Sequence, residues 1–115
     1  MVVFHPEFYE EFKEFSEGLQ DGILAKSLLL EQFGPQLGRP HIDSLFGSRF
    51  SNMKELRLDS DKGVWRVAFA FDPKRKVVLL VAGDKAGISQ KIFYRNLIRK
   101  ADSRFSQHLN SLHEN

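Results

Sequence analysis

A run of three strand-like segments constrains the fold more than any other part of this sequence. They cover about residues 52–59, 64–72 and 76–84, and short polar turns separate them. Alternating apolar residues bounded by such turns are typical of half-buried strands. Three of them in succession predict an antiparallel sheet on which the rest of the chain must pack.

Alternation within the first two segments predicts how their side chains pair. A tight turn at Asp61-Lys62 places Leu58 opposite Trp65, so that one face of the hairpin is apolar. The same register places Arg57 directly opposite Arg66 on the other face. Like charges opposite each other destabilise a sheet, and we therefore expect a surface that a bound anion would neutralise.

The neighbours of the two facing arginines allow two interpretations of that surface. Ala68 and Ala70 follow on the same face of the second strand and predict a shallow floor without bulky side chains. The alternative is that each arginine pairs with a nearby carboxylate, Glu55 or Asp59, because such surface ion pairs are common. The residues alone leave both interpretations open.

The residues before the sheet predict a short strand and a pair of helices. Residues 2–4 suit a strand, and His5-Pro6 suits a helix start because the first turn does not use the N–H that proline lacks. Gly18 is expected to interrupt the helix, so a second helix runs from about residue 21 to 33, and residues 35–50 form an extended loop. The first helix carries an apolar stripe of Phe8, Phe12, Phe15 and Leu19.

The end of the chain predicts one long helix, from Ser89 to about Leu112, with Ser89 as its N-cap. One face of this helix is basic, with Lys91, Arg95 and Arg99 at intervals of four residues. The opposite face is apolar and consists of Phe93, Leu97, Ala101, Phe105 and Leu109.

The order of these elements, β-α-α-β-β-β-α, predicts a single small α+β domain over residues 1–115. We expect a mostly antiparallel sheet on which an N-terminal helical hairpin and a C-terminal helix pack. The sequence contains no internal repeat and no linker that would divide the chain further.

Composition excludes several classes of function. Cysteine is absent, which excludes disulfides and thiol catalysis and leaves a reducing cytoplasm as the simplest compartment. None of the four histidines has metal-ligand spacing, and no nucleotide-binding or serine-hydrolase motif occurs, so we expect neither a metal nor a cofactor. No apolar run is near the roughly 18 residues that span a bilayer, and we expect no membrane span or signal peptide.

The net charge of +2 conceals a strong asymmetry along the chain. Residues 1–34 carry two basic and seven acidic side chains, a balance of −5. Residues 35–100 carry fourteen basic and six acidic side chains, a balance of +8. This separation predicts a basic working surface suited to nucleic acid or another polyanion. The alternative is a solvated surface on which basic residues happen to cluster.

Three stretches of the sequence resemble a known family of toxins. They are LGRPHIDSLFGSRFSNMKELR, WRVAFAFDPKRKVVLLVAGDKAG and FYRNLIRKADSRFSQHL, and they cover most of residues 37–109. Together they resemble the HigB-like branch of the RelE/ParE superfamily. The resemblance implies a RelE-like fold and the role of toxin in a type II toxin–antitoxin pair. Many members of that family cleave messenger RNA on the ribosome, and a cognate antitoxin, often of the helix-turn-helix type, keeps them inactive.

The resemblance also implies which residues carry the activity. Arg57 and Arg66 occupy positions at which the family keeps basic residues of its RNA-cutting surface, and Lys85 occupies the basic position after the last strand. Glu55 departs from the RelE type, which has a basic residue there, and is the carboxylate best placed to act as a base. Its alternative role is an ion pair with Arg57. The residues expected to contact RNA are Lys54, Lys91, Arg95 and Tyr94.

The predicted reaction is metal-independent cleavage of messenger RNA, which would make the protein an endoribonuclease that inhibits translation in the cytoplasm. The ribose 2′-OH attacks the adjacent phosphate and leaves a 2′,3′-cyclic phosphate. Arginines suit the phosphorane charge because they are always ionised and present a planar fork of donors. Relatives of the ParE type inhibit DNA gyrase, and that function or an inactive nucleic-acid-binding module is the alternative.

Overall fold

The computed structural model describes residues 1–113, which contain five β-strands and three α-helices. None of these three helices combines the length and the apolar character needed to span a lipid bilayer. The helices are α1 (Pro6–Lys13), α2 (Glu17–Phe33) and α3 (Gln90–Ser111), and a 3₁₀ turn (Gly34–Gln36) follows α2. The strands are β1 (Val2–Phe4), β2 (Ile42–Ser44), β3 (Lys54–Ser60), β4 (Gly63–Phe71) and β5 (Val77–Asp84).

The strands form one mixed sheet in the order β1-β5-β4-β3-β2. β1 pairs with β5 in parallel, and the other neighbouring pairs are antiparallel. The two N-terminal helices and the C-terminal helix pack on this sheet, which confirms the predicted α+β class.

Strand β2 was not predicted, because the sequence indicates loop throughout residues 35–50. Its three residues are too few to show the alternation that identifies longer strands. Ile42 pairs with Leu56 and is buried, so β2 forms because a longer neighbouring strand supplies its hydrogen bonds and its core contact.

Helix α2 begins at Glu17, several residues before its predicted start. Ser16 is its N-cap, and the Ser16 hydroxyl accepts a hydrogen bond of 3.2 Å from the Leu19 amide. Gly18 therefore lies in the first turn of α2 and does not separate two helices. The capping hydroxyl satisfies an amide that the helix leaves free, which stabilises this turn in spite of the glycine.

The hairpin of β3 and β4 has the predicted register. Arg57 pairs with Arg66, and Leu58 pairs with Trp65. The turn Asp61-Lys62 has φ angles of 52° and 66° at its two residues. Positive φ at both positions belongs to the type I′ turn, whose twist matches that of paired strands. The turn therefore fixes the alignment of the two arginines.

Helices cover both faces of the sheet, which corrects the expectation of a shallow open floor. α1 and α2 pack on the face that carries Leu56 and Val67, and α3 packs on the other face. Ala68 and Ala70 are fully buried in the core beneath α3. Small side chains allow a helix to approach a sheet closely, so these alanines belong to a packing surface.

A β-bulge divides β5 into two parts. Leu79 pairs with Phe69, but the next pair along the strands is Val81 with Ala68, so Leu80 is an extra residue. Leu80 and Val81 both lie in the core beneath α3. The alternation of β5 is consequently shifted by one residue beyond this point.

The bulge determines which face the end of β5 presents. Beyond it Gly83 pairs with Arg66, and Lys85 lies two residues further along the same face. In an unbroken strand the same lysine would lie on the α1 and α2 face. The sequence alone leaves the face of Lys85 open, because it does not fix the register of the DPKRK turn that precedes β5.

A buried arginine holds the bulge in place. Arg104 of α3 donates a hydrogen bond of 2.8 Å to the carbonyl oxygen of Leu80. The same guanidinium contacts the Glu11 carboxylate of α1 with N–O distances of 2.9 and 2.6 Å. This ion pair lowers the pKa of Glu11, chiefly through the hydrogen bond. Arg104 thereby connects α1, α3 and the irregular part of β5.

Candidate functional site

Five polar side chains converge on the α3 side of the sheet, near the end of β5. β3 contributes Glu55 and Arg57, β4 contributes Arg66, the turn after β5 contributes Lys85, and α3 contributes Tyr94. We call these five residues the polar cluster. The sequence predicted each of them as a site residue, and the hairpin register, the bulge and the position of α3 bring them together.

Glu55 lies at the centre of the polar cluster and is only 5% exposed. Its Oε2 atom is 3.8 Å from Nε of Arg57, and its Oε1 atom is 3.8 Å from Nε of Arg66. The Tyr94 hydroxyl donates a hydrogen bond of 2.8 Å to Oε1. The carboxylate therefore has one short hydrogen bond and two longer ionic contacts.

Burial raises the pKa of Glu55 above the ordinary value of a glutamate. The hydrogen bond from Tyr94 and the positive charges of Arg66, Arg57 and Lys85 act in the opposite direction without cancelling the effect of burial. A carboxylate with a raised pKa holds a proton more strongly than an exposed one. It is therefore better suited to accept a proton from a substrate.

Arg66 is 6% exposed, which corrects the expectation that its side chain lies outside the core. It lies on the central strand β4, and its Nη1 atom donates a hydrogen bond of 2.8 Å to the carbonyl of Trp65. Within residues 1–113 its buried Nε has no hydrogen-bond partner. A buried donor without a partner is destabilising.

Arg57 is the more accessible of the two arginines, with 33% of its side chain exposed. It lies between two carboxylates, at 3.8 Å from Glu55 and 3.9 Å from Asp43. Both contacts are longer than a hydrogen bond. The predicted ion pair with Glu55 is therefore present, but it leaves the donors of the Arg57 guanidinium free to bind another anion.

Lys85 and Tyr94 close the cluster on the side of α3. The Lys85 ammonium lies 5.8 Å from the centre of the Tyr94 ring, within the range of a cation–π contact. Burial, followed by the positive charges of Arg66 and Arg57, lowers the pKa of Lys85. Burial and the hydrogen bond to Glu55 raise the pKa of Tyr94, so the phenol stays protonated and remains a donor.

A shallow cavity of about 410 Å³ extends from the polar cluster around the edge of β3. Arg57 and Arg66 line it together with Lys26 of α2, which the sequence did not single out. Lys26 contacts Nδ1 of His41 at 2.9 Å, and burial lowers its pKa. A lone lysine on an amphipathic helix gives no signal of this kind in the sequence, because it looks like any solvated residue.

The other residues predicted to contact RNA lie outside the polar cluster. Lys91 and Arg95 are exposed on the outer side of α3 and remain accessible. Lys54 pairs with Phe69 and therefore lies on the face of the sheet opposite Glu55 and Arg57. Among residues 1–113 no three histidine, aspartate or glutamate side chains form a group that could hold a metal ion.

The fold and the polar cluster define a small α+β protein with a cationic site beside a buried carboxylate and a phenol. The chain belongs to the family of phage-derived Gp49-like proteins (DUF891), whose family model matches residues 10–106. The match includes the five residues of the polar cluster, so the site is part of the family domain.

Two proteins of Mycobacterium tuberculosis (strain H37Rv) that carry provisional toxin names are similar to this chain. The one named HigB3 is 49% identical over 85 residues, which are 74% of this chain and 72% of HigB3. The one named HigB2 is 44% identical over 88 residues, which are 76% of this chain. These residues are 43% of HigB2, so the chain spans less than half of that relative. No solved structure matches the chain.

Proposed function

We propose that the protein is the toxin of a type II toxin–antitoxin pair and that it cleaves messenger RNA as a RelE-like endoribonuclease. One observation carries the proposal. The buried Glu55 carboxylate lies 3.8 Å from each of two arginines and accepts a hydrogen bond from Tyr94. A base beside fixed cations is what phosphodiester cleavage requires. Similarity to two proteins with toxin names supports the biological role.

In the proposed reaction Glu55 accepts the proton of a ribose 2′-OH. Tyr94 holds the Oε1 atom of the carboxylate, and Oε2 lies on the side of the more accessible Arg57. The deprotonated 2′-oxygen attacks the adjacent phosphorus, and the bond from phosphorus to the 5′-oxygen breaks. The products are a 2′,3′-cyclic phosphate and a free 5′-hydroxyl, and no metal ion takes part.

The cations of the polar cluster have two roles in this reaction. Arg66 and Arg57, which both line the cavity at the edge of β3, donate hydrogen bonds to the phosphate oxygens as negative charge develops on them. Lys85 donates a proton to the leaving 5′-oxygen, and its lowered pKa makes it a stronger acid than an ordinary lysine. Glu55 accepts one proton and Lys85 donates one, so the number of protons on the protein is unchanged by the cleavage.

We propose two partners, messenger RNA on the ribosome and a cognate antitoxin, and this places the toxin in the cytoplasm. The antitoxin, expected to be of the helix-turn-helix type, neutralises the toxin in one of two ways. It covers the polar cluster, or it docks on the acidic helices α1 and α2 and blocks entry to the ribosome. The balance of −5 over residues 1–34 would attract a basic partner surface, mainly by raising the association rate.

Cleavage of a defined messenger RNA, with and without ribosomes, tests the proposal. We expect the wild-type protein to release fragments that end in a 2′,3′-cyclic phosphate, and Glu55→Gln to release none. The control Lys74→Ala changes an exposed lysine in the turn between β4 and β5 and should cleave like the wild type. If the wild-type protein arrests growth but cleaves no RNA in either assay, the ribonuclease proposal is wrong.

Inhibition of DNA gyrase is the second candidate function. The contacts of Glu55 with both arginines, at 3.8 Å, also form an ion-pair arrangement that requires no catalytic role for the carboxylate. Such an arrangement also suits a binding surface with no chemistry of its own. A supercoiling assay with purified gyrase separates the two functions, since a ribonuclease leaves supercoiling unchanged.

A further inference from the structure

The loop between β2 and β3 presents a phenylalanine directly to solvent. Phe46 is 86% exposed, the highest exposure among the large apolar residues of the described chain. The other two large apolar residues of the loop, Leu45 and Phe50, are buried and half-buried, respectively. The exposed ring is therefore a specific feature of one position and not a property of the whole loop.

The loop that carries Phe46 is held firmly against α3. The Ser48 hydroxyl donates a hydrogen bond of 2.5 Å to Asp102, and the Arg49 amide donates one of 3.1 Å to the same carboxylate. The Phe50 ring packs edge-on against Phe105, with 4.9 Å between ring centres. A loop fixed in this way holds the exposed ring at a defined position, which lowers the entropy lost when a ligand binds.

The same loop lies close to the polar cluster. A Cβ atom on Gly47, which has a φ of +101°, would be 3.6 Å from Cδ1 of Ile98. Ile98 follows Tyr94 by one turn of α3, which corresponds to about 6 Å along the helix axis. The loop that carries the exposed ring therefore approaches α3 one helical turn beyond Tyr94, on the side of β2.

Two arginines lie on or beside this loop, because Arg49 belongs to it and Arg99 follows Ile98 on α3. They line one surface cavity of about 490 Å³ on the outer side of α3, together with the Asp102 carboxylate. Their guanidinium groups donate hydrogen bonds to neutral acceptors, Ser106 and Asn96. Within residues 1–113 neither guanidinium forms an ion pair with a carboxylate, and both keep donors for a phosphate.

We propose that Phe46 is a stacking platform for an unpaired RNA base next to the cleavage site, and that Arg49 and Arg99 bind the phosphates beside it. This inference rests on the proposed function, because it assigns the substrate of the same site. A single aromatic ring among free arginines is the pattern of single-strand recognition, in which bases stack and phosphates pair with cations. Protein interfaces instead need a larger contiguous apolar patch.

Binding of a short single-stranded RNA tests the platform independently of cleavage. The RNA carries 2′-O-methyl groups, so it cannot be cut. We expect Phe46→Ala to weaken binding about tenfold at low salt, because stacking of one base contributes on that order. Phe46→Tyr should retain the affinity. The matched control Phe33→Ala removes a half-exposed phenylalanine on the other side of the sheet and should bind like the wild type.

A spectroscopic signal distinguishes stacking from a structural effect. In Phe46→Trp the new indole should lose fluorescence when the RNA binds, and the same titration of the wild-type protein gives the signal of Trp65, the single natural tryptophan, for subtraction. The proposal that Phe46 stacks on a base is wrong if that fluorescence is unchanged at saturating RNA, or if Phe46→Ala binds RNA like the wild type. It is also wrong if Phe46→Ala abolishes antitoxin binding and leaves RNA binding intact. Loss of cleavage in Glu55→Gln is a separate result that tests only the proposed function.

Discussion

The Tyr94 hydroxyl of α3 donates a hydrogen bond of 2.8 Å to the Glu55 carboxylate of β3. The contact ties the basic helix to the strand that carries Arg57. It also fixes one oxygen of the carboxylate and opposes the rise in its pKa that burial produces. Tyr94 is therefore a positioning residue in the proposed reaction, and its effect should be visible in the pH dependence of activity.

Tyr94→Phe removes this hydrogen bond and keeps the aromatic ring. Because the bond lowers the pKa of Glu55, we expect that pKa to rise further in the variant. Cleavage by an ionised base falls as pH drops through that pKa, so the acidic limb of the rate profile should move to higher pH. A pH profile of RNA cleavage measures this shift. Tyr9→Phe, at an exposed tyrosine of α1, is the control and should leave the profile in place.

Arg66→Ala should abolish growth arrest and also destabilise the protein. The sequence alone predicts unchanged or slightly higher stability, because an Arg66 side chain outside the core would lose only its repulsion with Arg57. In the fold the Arg66 side chain is buried, and its loss leaves the Glu55 carboxylate with one cationic contact fewer. We expect the free energy of unfolding to fall by about 1–3 kcal/mol, the usual result of removing the partner of a buried polar group.

Chemical denaturation at neutral pH measures that change, with Lys100→Ala, an exposed residue of α3, as the control. Arg66→Met fills more of the space and should recover part of the stability without recovering toxicity. A soluble Arg66→Met protein that still arrests growth at matched expression would remove Arg66 from the site.

Trp65→Ala should act through stability and not through the site. Trp65 is half-buried on the α1 and α2 face, and its ring centre is 5.4 Å from that of Phe15. Truncation of a large aromatic side chain costs about 3 kcal/mol or more when the site cannot collapse. Denaturant unfolding measures the loss, and Leu28→Ala, at an exposed leucine of α2, provides the comparison. Unfolding at the same denaturant concentration as the wild type would show that this face is not part of the core.

Asp72→Asn should destabilise the protein at neutral pH but hardly at all in acid. Burial tends to raise the pKa of Asp72, but hydrogen bonds from His108 and from the amides of Lys76 and Lys74 lower it overall. A lowered carboxyl pKa contributes stability above the unfolded value of about 4, and that stability is lost as pH falls through the folded value.

We expect the asparagine variant to lose about 1–3 kcal/mol at pH 7, because the hydrogen bonds to a charged acceptor are weakened. The difference from the wild type should shrink when unfolding is measured near pH 3. Asp21→Asn changes an exposed aspartate of α2 and serves as the control. A difference that is equal at both values of pH would mean that the charge of Asp72 contributes nothing.

The hairpin register could be predicted from the sequence because two independent signals agree on it. Alternation of apolar residues and a two-residue turn both place Arg57 opposite Arg66. Local patterns of this kind contain the information that a hairpin needs. The candidate arginines and Glu55 could therefore be found before the fold was known.

The depth of the site could not be predicted, because it depends on contacts between residues distant in sequence. α3 covers Ala68 and Ala70 and buries Arg66, and no local pattern in β4 distinguishes a covered face from an open one. The approach of Lys26 to the site depends in the same way on the packing of α2 against the edge of β3. The sequence of a strand does not show whether an element distant in the chain will bury it.

The extra residue divides β5 into two parts, and the alternation of side chains in one part is independent of that in the other. Before Leu80 the side chains of the strand pack only in the core, as the buried Val77 and Leu79 do. Beyond Leu80 the shifted alternation places Lys85 on the same face of the sheet as Arg66. Substitutions in the first part can adjust packing without moving the lysine. A one-residue deletion would remove the lysine from the site while leaving every residue of the polar cluster in the sequence. A relative that has all five residues of the polar cluster but lacks this offset would be an inactive protein that looks active by sequence.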